Sequence, residues 1–110
     1  MIGVILIIIL VLILFLVGSY FYTNVTYIKK SIKKIYKAGF VEKQLKLKDG
    51  TVLNYGEGAS NGKTPLLLIH GQSMTWMDYA KVLPELSEHY HVFAIDCHGH
   101  GKSSMEPGKY

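Results

Sequence analysis

The 110-residue chain has a single cysteine, three prolines and no arginine. With Cys97 alone, no intramolecular disulfide framework can form, and no second thiol completes a C-x-x-C metal or redox motif. A reducing compartment fits that scarcity. Charge is missing altogether from Met1 to Tyr22, a run that a soluble domain of this length has no means to bury. Acids are also scarce early: residues 1–50 carry eight Lys against Glu42 and Asp49, whereas residues 51–110 carry four Lys against six acids. The net charge of +4 is therefore local, which disfavours a uniformly basic nucleic-acid binder. The length sets a limit of one small domain.

The charge-free stretch is long enough, as a helix, to cross the hydrocarbon core, so residues 1–22 are expected to be a transmembrane helix. A cleaved signal peptide is the alternative. It fits less well, because the stretch has no basic leader, an overlong apolar run and a poor small-x-small site at Val17-Gly18-Ser19. Tyr20, Phe21 and Tyr22 stand where an interfacial aromatic belt would, and Lys29, Lys30, Lys33, Lys34 and Lys37 follow within the window that sets orientation. The expectation is a single-pass cell-membrane protein with its N-terminus out, its soluble part cytoplasmic and the lipid bilayer as partner.

Residues 23–40 read as a basic juxtamembrane helix. Val25, Ile28, Ile32, Ile35 and Tyr36 recur at helical spacing among the lysines, with Asn24 as N-cap and Gly39 as C′ residue. Lying on the inner leaflet, each lysine would contribute about 1 kcal/mol against an anionic surface. The alternative is a continuation of the first helix with a solvated charged face.

Past residue 40 the pattern changes. Leu45 and Leu47 alternate with lysines, and Asp49-Gly50 leads into Thr51 to Tyr55, a hairpin signal. Gly56 to Lys63 reads as a loop. Pro65 to Ile69 and Val92 to Ile95 are unbroken apolar runs of the kind found in buried parallel strands. Between them Trp76, Tyr79, Ala80, Leu83 and Leu86 fall on one helical face, opened by Thr75 and Asp78 as a capping box and interrupted at Pro84. Strand, helix and strand make a βαβ unit with a single crossover helix, too little to cover both faces of a parallel sheet.

Two motifs carry a resemblance. Leu68-Ile69-His70-Gly71-Gln72 ends a strand in His-Gly, and about 25 residues later Ile95-Asp96-Cys97-His98-Gly99-His100-Gly101-Lys102-Ser103 ends another in Asp followed by G-x-G-x-S. With Trp76 and Pro84-x-Leu86 between them, they resemble the start of the α/β-hydrolase fold. The implied class is α/β, with residues 41–110 as the N-terminal part of such a domain: its first strands and first helix, an incomplete domain. In that family the oxyanion hole takes one backbone N–H from the residue after the nucleophile and one from the loop after the third strand. The resemblance places the second at Gln72, as a main-chain donor. His70 and Gly71 support that loop; Asp96, Gly99 and Gly101 shape the turn after the second strand; Ser103 bonds locally or to the backbone. The catalytic His of this family comes last in the chain, so His70 is not the expected base.

Other patterns are decoys. Gly58-Ala59-Ser60-Asn61-Gly62 matches the nucleophile elbow G-x-S-x-G, but it precedes a strand instead of following one. Gly101-Lys102-Ser103 matches the end of a P-loop, but Asp96 stands where the first glycine should be. His98 and His100 form an H-x-H pair interleaved with Gly99 and Gly101, with no further ligand pattern, so no metal is expected. Cys97 beside His98 lacks the elbow's glycines and reads as a buried thiol. Ser103 has no base placed for it.

The expected product is the N-terminal portion of a membrane-anchored hydrolase, a serine hydrolase acting on a small-molecule ester, amide or similar acyl substrate. It needs no cofactor and no nucleic acid, and it is inactive alone because nucleophile, acid and His lie elsewhere. Gln72 has no following Pro and His70 no run of glycines, features that point away from the dehalogenase and epoxide-hydrolase branches and from glycine-run lipases. The alternative is a short membrane protein or pseudoenzyme with a binding-only βαβ module.

Overall fold

Continuous apolar sequence with no proline before residue 65 lets one helix propagate unchecked, and α1 runs over Ile2–Lys37. The computed structural model describes residues 1–105, so the last five residues of the domain expected over 41–110 lie outside the described residues. The described chain forms two units, Met1–Lys30 and the residues from Ser31 onward.

The first unit is helix alone. Its apolar side chains are exposed, and among the described residues this is the one helix long and apolar enough to be a candidate membrane span. Asn24 does not start a new helix. Its side-chain Nδ2 donates to the Tyr20 carbonyl at 2.8 Å, and the Thr23 hydroxyl donates to Ser19 and Tyr20 carbonyls at 3.0 and 2.9 Å. Both polar groups are thereby satisfied on the preceding turn, and the backbone has no reason to break. The separate juxtamembrane helix over residues 23–40 is thus replaced by a continuation of α1.

In the second unit, the last turn of α1 closes with a Schellman motif. Phe40 N–H donates to Ile35 O at 3.3 Å and Gly39 N–H to Tyr36 O at 3.1 Å, with Gly39 left-handed at φ 96°. The hydrophobic contact that accompanies such a cap is made by Ile35 and Phe40, both buried. Ile35, read as a lipid-facing position, belongs instead to the protein core.

The sheet has the order β1-β2-β4-β3, formed by β1 (Val41–Lys46), β2 (Val52–Glu57), β3 (Pro65–Ile69) and β4 (His91–Ile95). The Asp49-Gly50 signal makes the β1–β2 hairpin, in register from Val41 opposite Glu57 to Lys46 opposite Val52. Only Gly50 takes positive φ, following a turn closed by Gly50 N–H to Leu47 O at 3.0 Å. The Asp49 carboxylate instead accepts the Thr51 N–H and hydroxyl. β3 and β4 pair in parallel, as a βαβ unit requires, whereas β2 and β4 are antiparallel. The crossover is broken as Pro84 dictates, into a 3-10 turn (Trp76–Tyr79) and α2 (Leu83–His89), with Pro84 in the first turn of α2, where its missing N–H costs nothing.

The two sheet faces differ. Val92 and Ala94 of β4 pack with Trp76, Leu83, Ile35 and Phe40 in one core. On the other face, Leu67 and Ile69 of β3 remain 55% and 61% exposed, and Leu45 of β1 is 50% exposed. β3 is therefore not covered on both sides, despite its unbroken apolar sequence.

Candidate functional site

The site is built where β3 and β4 end side by side, Leu68 opposite Ala94 and Ile69 opposite Ile95. Each strand passes into a loop at that end, and the residues singled out from the sequence lie on these two loops. His70 is buried, whereas Gly71 and Gln72 are exposed. Tyr79 from the crossover donates its hydroxyl to Ile69 O at 2.8 Å and so fixes the end of β3. Ser73, after Gln72, sits at φ 62°, an uncommon backbone conformation for a residue with a side chain.

The second loop is organised by Asp96, which is 1% exposed. Its carboxylate accepts the Trp76 N–H at 2.8 Å, the Asn54 side-chain amide at 2.8 Å and the Lys102 N–H at 3.0 Å. A buried carboxylate is tolerated only when several donors compensate its lost hydration, and here three do. Gly101 lies so close that a Cβ would stand 2.1 Å from an Asp96 oxygen, and its φ is +52°. Gly99 also has positive φ, at 80°. Ser103 is buried; its hydroxyl donates to Asp96 O at 2.6 Å and accepts Asn54 N–H at 2.8 Å. Both hydroxyl contacts are to backbone groups, one seven residues away and one 49.

The loops meet at His70. Cys97 N–H donates to His70 Nε2 at 3.0 Å, and His70 Nδ1 lies 2.7 Å from Gly71 O. His100 packs its ring edge-on at 5.0 Å between centroids. Cys97 is half-buried, not fully buried as the sequence implied, with its sulfur 4.0 Å from His70 O.

A further group went unnoticed in the sequence. Glu42 of β1 accepts the Trp76 indole N–H at 2.9 Å and the Asn54 amide at 3.4 Å, and it pairs with the Lys102 ammonium. Burial would push its carboxyl up. The hydrogen bonds from Lys102, Trp76 and Asn54 outweigh that and hold it below the usual range. The available signal was Asn54, a polar residue of poor strand propensity in the middle of a β run. A cleft of about 240 Å³ opens beside this group, with Trp76, Met77 and Lys102 in its wall; Gln72 does not line it. Ser60 lies in an exposed loop before β3, away from any strand-to-helix turn.

Comparison with known proteins finds hydrolases. A (E)-2-((N-methylformamido)methylene)succinate hydrolase of Acinetobacter baylyi is 36% identical over 67 residues, covering 58% of this chain and 24% of that protein. Among solved structures, one described as a lipase of Acinetobacter baumannii matches with TM-score 0.62 and 31% identity, over 76% of this chain and 26% of that one. A membrane phospholipase A matches with TM-score 0.63 and 28% identity, over 92% of this chain and 33% of that one. An epoxide hydrolase of Acinetobacter nosocomialis matches with TM-score 0.55 and 28% identity, over 70% and 27%. The chain thus spans about a quarter to a third of the length of these relatives. No family model matches it.

Proposed function

The chain carries the opening part of an α/β-hydrolase fold, and we propose that it serves a membrane-anchored hydrolase cleaving an ester, amide or similar acyl bond, with the Gln72 N–H as one donor of the oxyanion hole. The observation that carries this reading is the Gly71–Gln72 peptide. It is exposed at the C-terminal end of β3, directly after the buried His70, and the Gln72 N–H has no protein acceptor among the described residues. A main-chain donor held in a fixed orientation stabilises a developing oxyanion without reorganising as the reaction proceeds.

The remaining parts of the reaction, a nucleophile, a His base and an acid that orients it, belong in this reading to chain outside the described residues. Ser60 is in the wrong place for a nucleophile, and both contacts of Ser103 are taken up by backbone groups. The likeness to an epoxide hydrolase means that the missing Pro after Gln72 does not separate the chain from that branch at the level of fold, so the acyl substrate rests on the lipase and phospholipase likenesses. The anchor reading rests on α1 and on the membrane phospholipase likeness.

An organophosphorus activity probe tests the division of labour. Applied to the 110-residue chain in lipid nanodiscs, it is expected to label nothing. Covalent labelling of Ser60 or Ser103 would overturn the assignment of the nucleophile to another part of the protein.

A further inference from the structure

We infer that His70 is a positioning residue: its imidazole clamps the Gly71–Gln72 peptide in the one orientation that presents the Gln72 N–H outward, and the loop after β4 selects the ring tautomer that can do so. The inference deepens the oxyanion reading of Gln72 and rests on it for its functional meaning.

The tautomer follows from the two contacts together. Cys97 N–H can only donate, so Nε2 at 3.0 Å must offer a lone pair and carry no proton. The Gly71 carbonyl can only accept, so Nδ1 at 2.7 Å must carry the proton and donate it. Both contacts hold at once only for the neutral Nδ1–H ring. The Cys97 amide is held in turn by the loop that Asp96 organises through Trp76 and Lys102 N–H. The β4 loop thereby fixes which nitrogen faces the β3 loop as a donor.

The consequence for Gln72 is set by peptide geometry. Gly71 C=O and Gln72 N–H belong to one planar unit, and no cis peptide occurs among the described residues, so the two groups point in opposite directions. Drawing the carbonyl onto the buried imidazole turns the N–H away from it, toward the exposed side. The turn through Gln72 and Ser73 shares in holding the unit, but Gly71 has no Cβ to restrict it and the nearest atom a Cβ would meet is Met74 Sδ at 3.9 Å, so the imidazole is the side-chain restraint on its orientation. A flipped peptide would put a carbonyl oxygen where an oxyanion must be received, turning attraction into repulsion. The same glycine that lets substrate approach therefore needs an external clamp.

Two substitutions separate the clamp from mere packing. In His70→Asn the side-chain amide N–H falls near the position of Nδ1 and can still hold Gly71 O, while nothing accepts the Cys97 N–H. In His70→Gln the amide oxygen reaches toward the position of Nε2 and can accept Cys97, while Gly71 O is released. The full chain, isotope-labelled in lipid nanodiscs, is measured by NMR. In the native protein we expect a proton on Nδ1, none on Nε2, and a hydrogen-bond coupling between Nε2 and the Cys97 amide. We expect the Gln72 amide resonance to broaden by exchange or shift in His70→Gln and to stay near its native position in His70→Asn, with the Cys97 amide showing the reverse. A native ring protonated on Nε2, or a Gln72 amide equally perturbed by both substitutions, overturns the clamp, and the tautomer measurement needs no variant to fold. In the complete hydrolase, His70→Gln is expected to lower kcat about 100-fold with KM little changed. If the NMR pattern holds while Gln72→Pro leaves turnover intact, the oxyanion reading fails and the clamp stands.

Discussion

Gly56 and Gly101 show how single atoms decide the shape of the site. Gly56 lies on β2 under the Trp76 ring, and a Cβ there would stand 2.3 Å from two ring carbons, an overlap that real contacts do not show. Gly101 meets an equally hard obstacle in the Asp96 carboxylate and adds a left-handed backbone. Gly56→Ala should therefore cost about 1–3 kcal/mol through overpacking alone. Gly101→Ala should cost more, about 2–5 kcal/mol, because a backbone penalty of about 1–2 kcal/mol adds to the overpacking. Urea unfolding of the two variants checks this order, and equal costs would mean that the Gly101 backbone relaxes freely.

At the scale of elements, the informative contacts run between strands and loops distant in sequence. Glu42 ties β1 to the crossover and to Lys102, and Glu57 of β2 pairs with Lys43 of β1 and His91 of β4. The hydrogen bond from Lys43 first, then that from His91, holds the Glu57 carboxyl below its usual range despite burial. Both carboxyls are lowered on folding, so their stabilisation is fully present above the ordinary value of 4.5 and is lost as pH falls through and below it. Thermal melting should accordingly drop below about pH 4.5, and Glu42→Gln should flatten that drop while costing about 1–2 kcal/mol at neutral pH. A pH dependence unchanged by Glu42→Gln would show that the Lys102 and Trp76 bonds do not persist in solution.

These same elements show what a sequence can reveal. The hairpin at Asp49-Gly50, the parallel pairing of Pro65–Ile69 with His91–Ile95 and the break at Pro84 were all legible, because turn chemistry and period are local properties. The end of α1 at Gly39 was legible for the same reason. The start of a second helix at Asn24 was misread, since an asparagine can satisfy itself on the preceding turn as well as cap a new one. The Glu42, Asn54 and Asp96 cluster was not legible as a group: its members are 12 and 42 residues apart and meet only once the sheet has formed. At the candidate site, the sequence could propose His70 and Gln72 but could not show the contact between His70 Nε2 and a Cys97 amide 27 residues away.

Over the whole molecule, the sequence divides into an apolar helix and a sheet with one covered face. Parallel α/β sheets ordinarily carry helices on both faces, and here Leu67 and Ile69 project from an uncovered one. Leu67→Lys and Ile69→Lys should each change the stability of this chain by less than about 0.5 kcal/mol, because neither loses a buried contact. A loss of several kcal/mol on denaturant unfolding would show that the face is covered in solution. On the proposed membrane-anchor reading, the five lysines late in α1, which follow an apolar span with no acid in its own helix, put the residues after it on the cytoplasmic side. Protease added to right-side-out vesicles should leave the segment after residue 37 intact, and replacing the five lysines by glutamine should produce a mixed orientation. Complete digestion of the native chain from outside would reverse the assignment.

The most direct measurement is turnover by the complete hydrolase carrying Gln72→Pro or Gln72→Ala. If the contribution of Gln72 is its backbone N–H, proline removes it and alanine keeps it. Gln72→Pro should then lower kcat about 100- to 1000-fold, and Gln72→Ala should retain most of it. Equal loss in the two variants, or full activity in Gln72→Pro, would contradict a main-chain oxyanion donor at the end of β3.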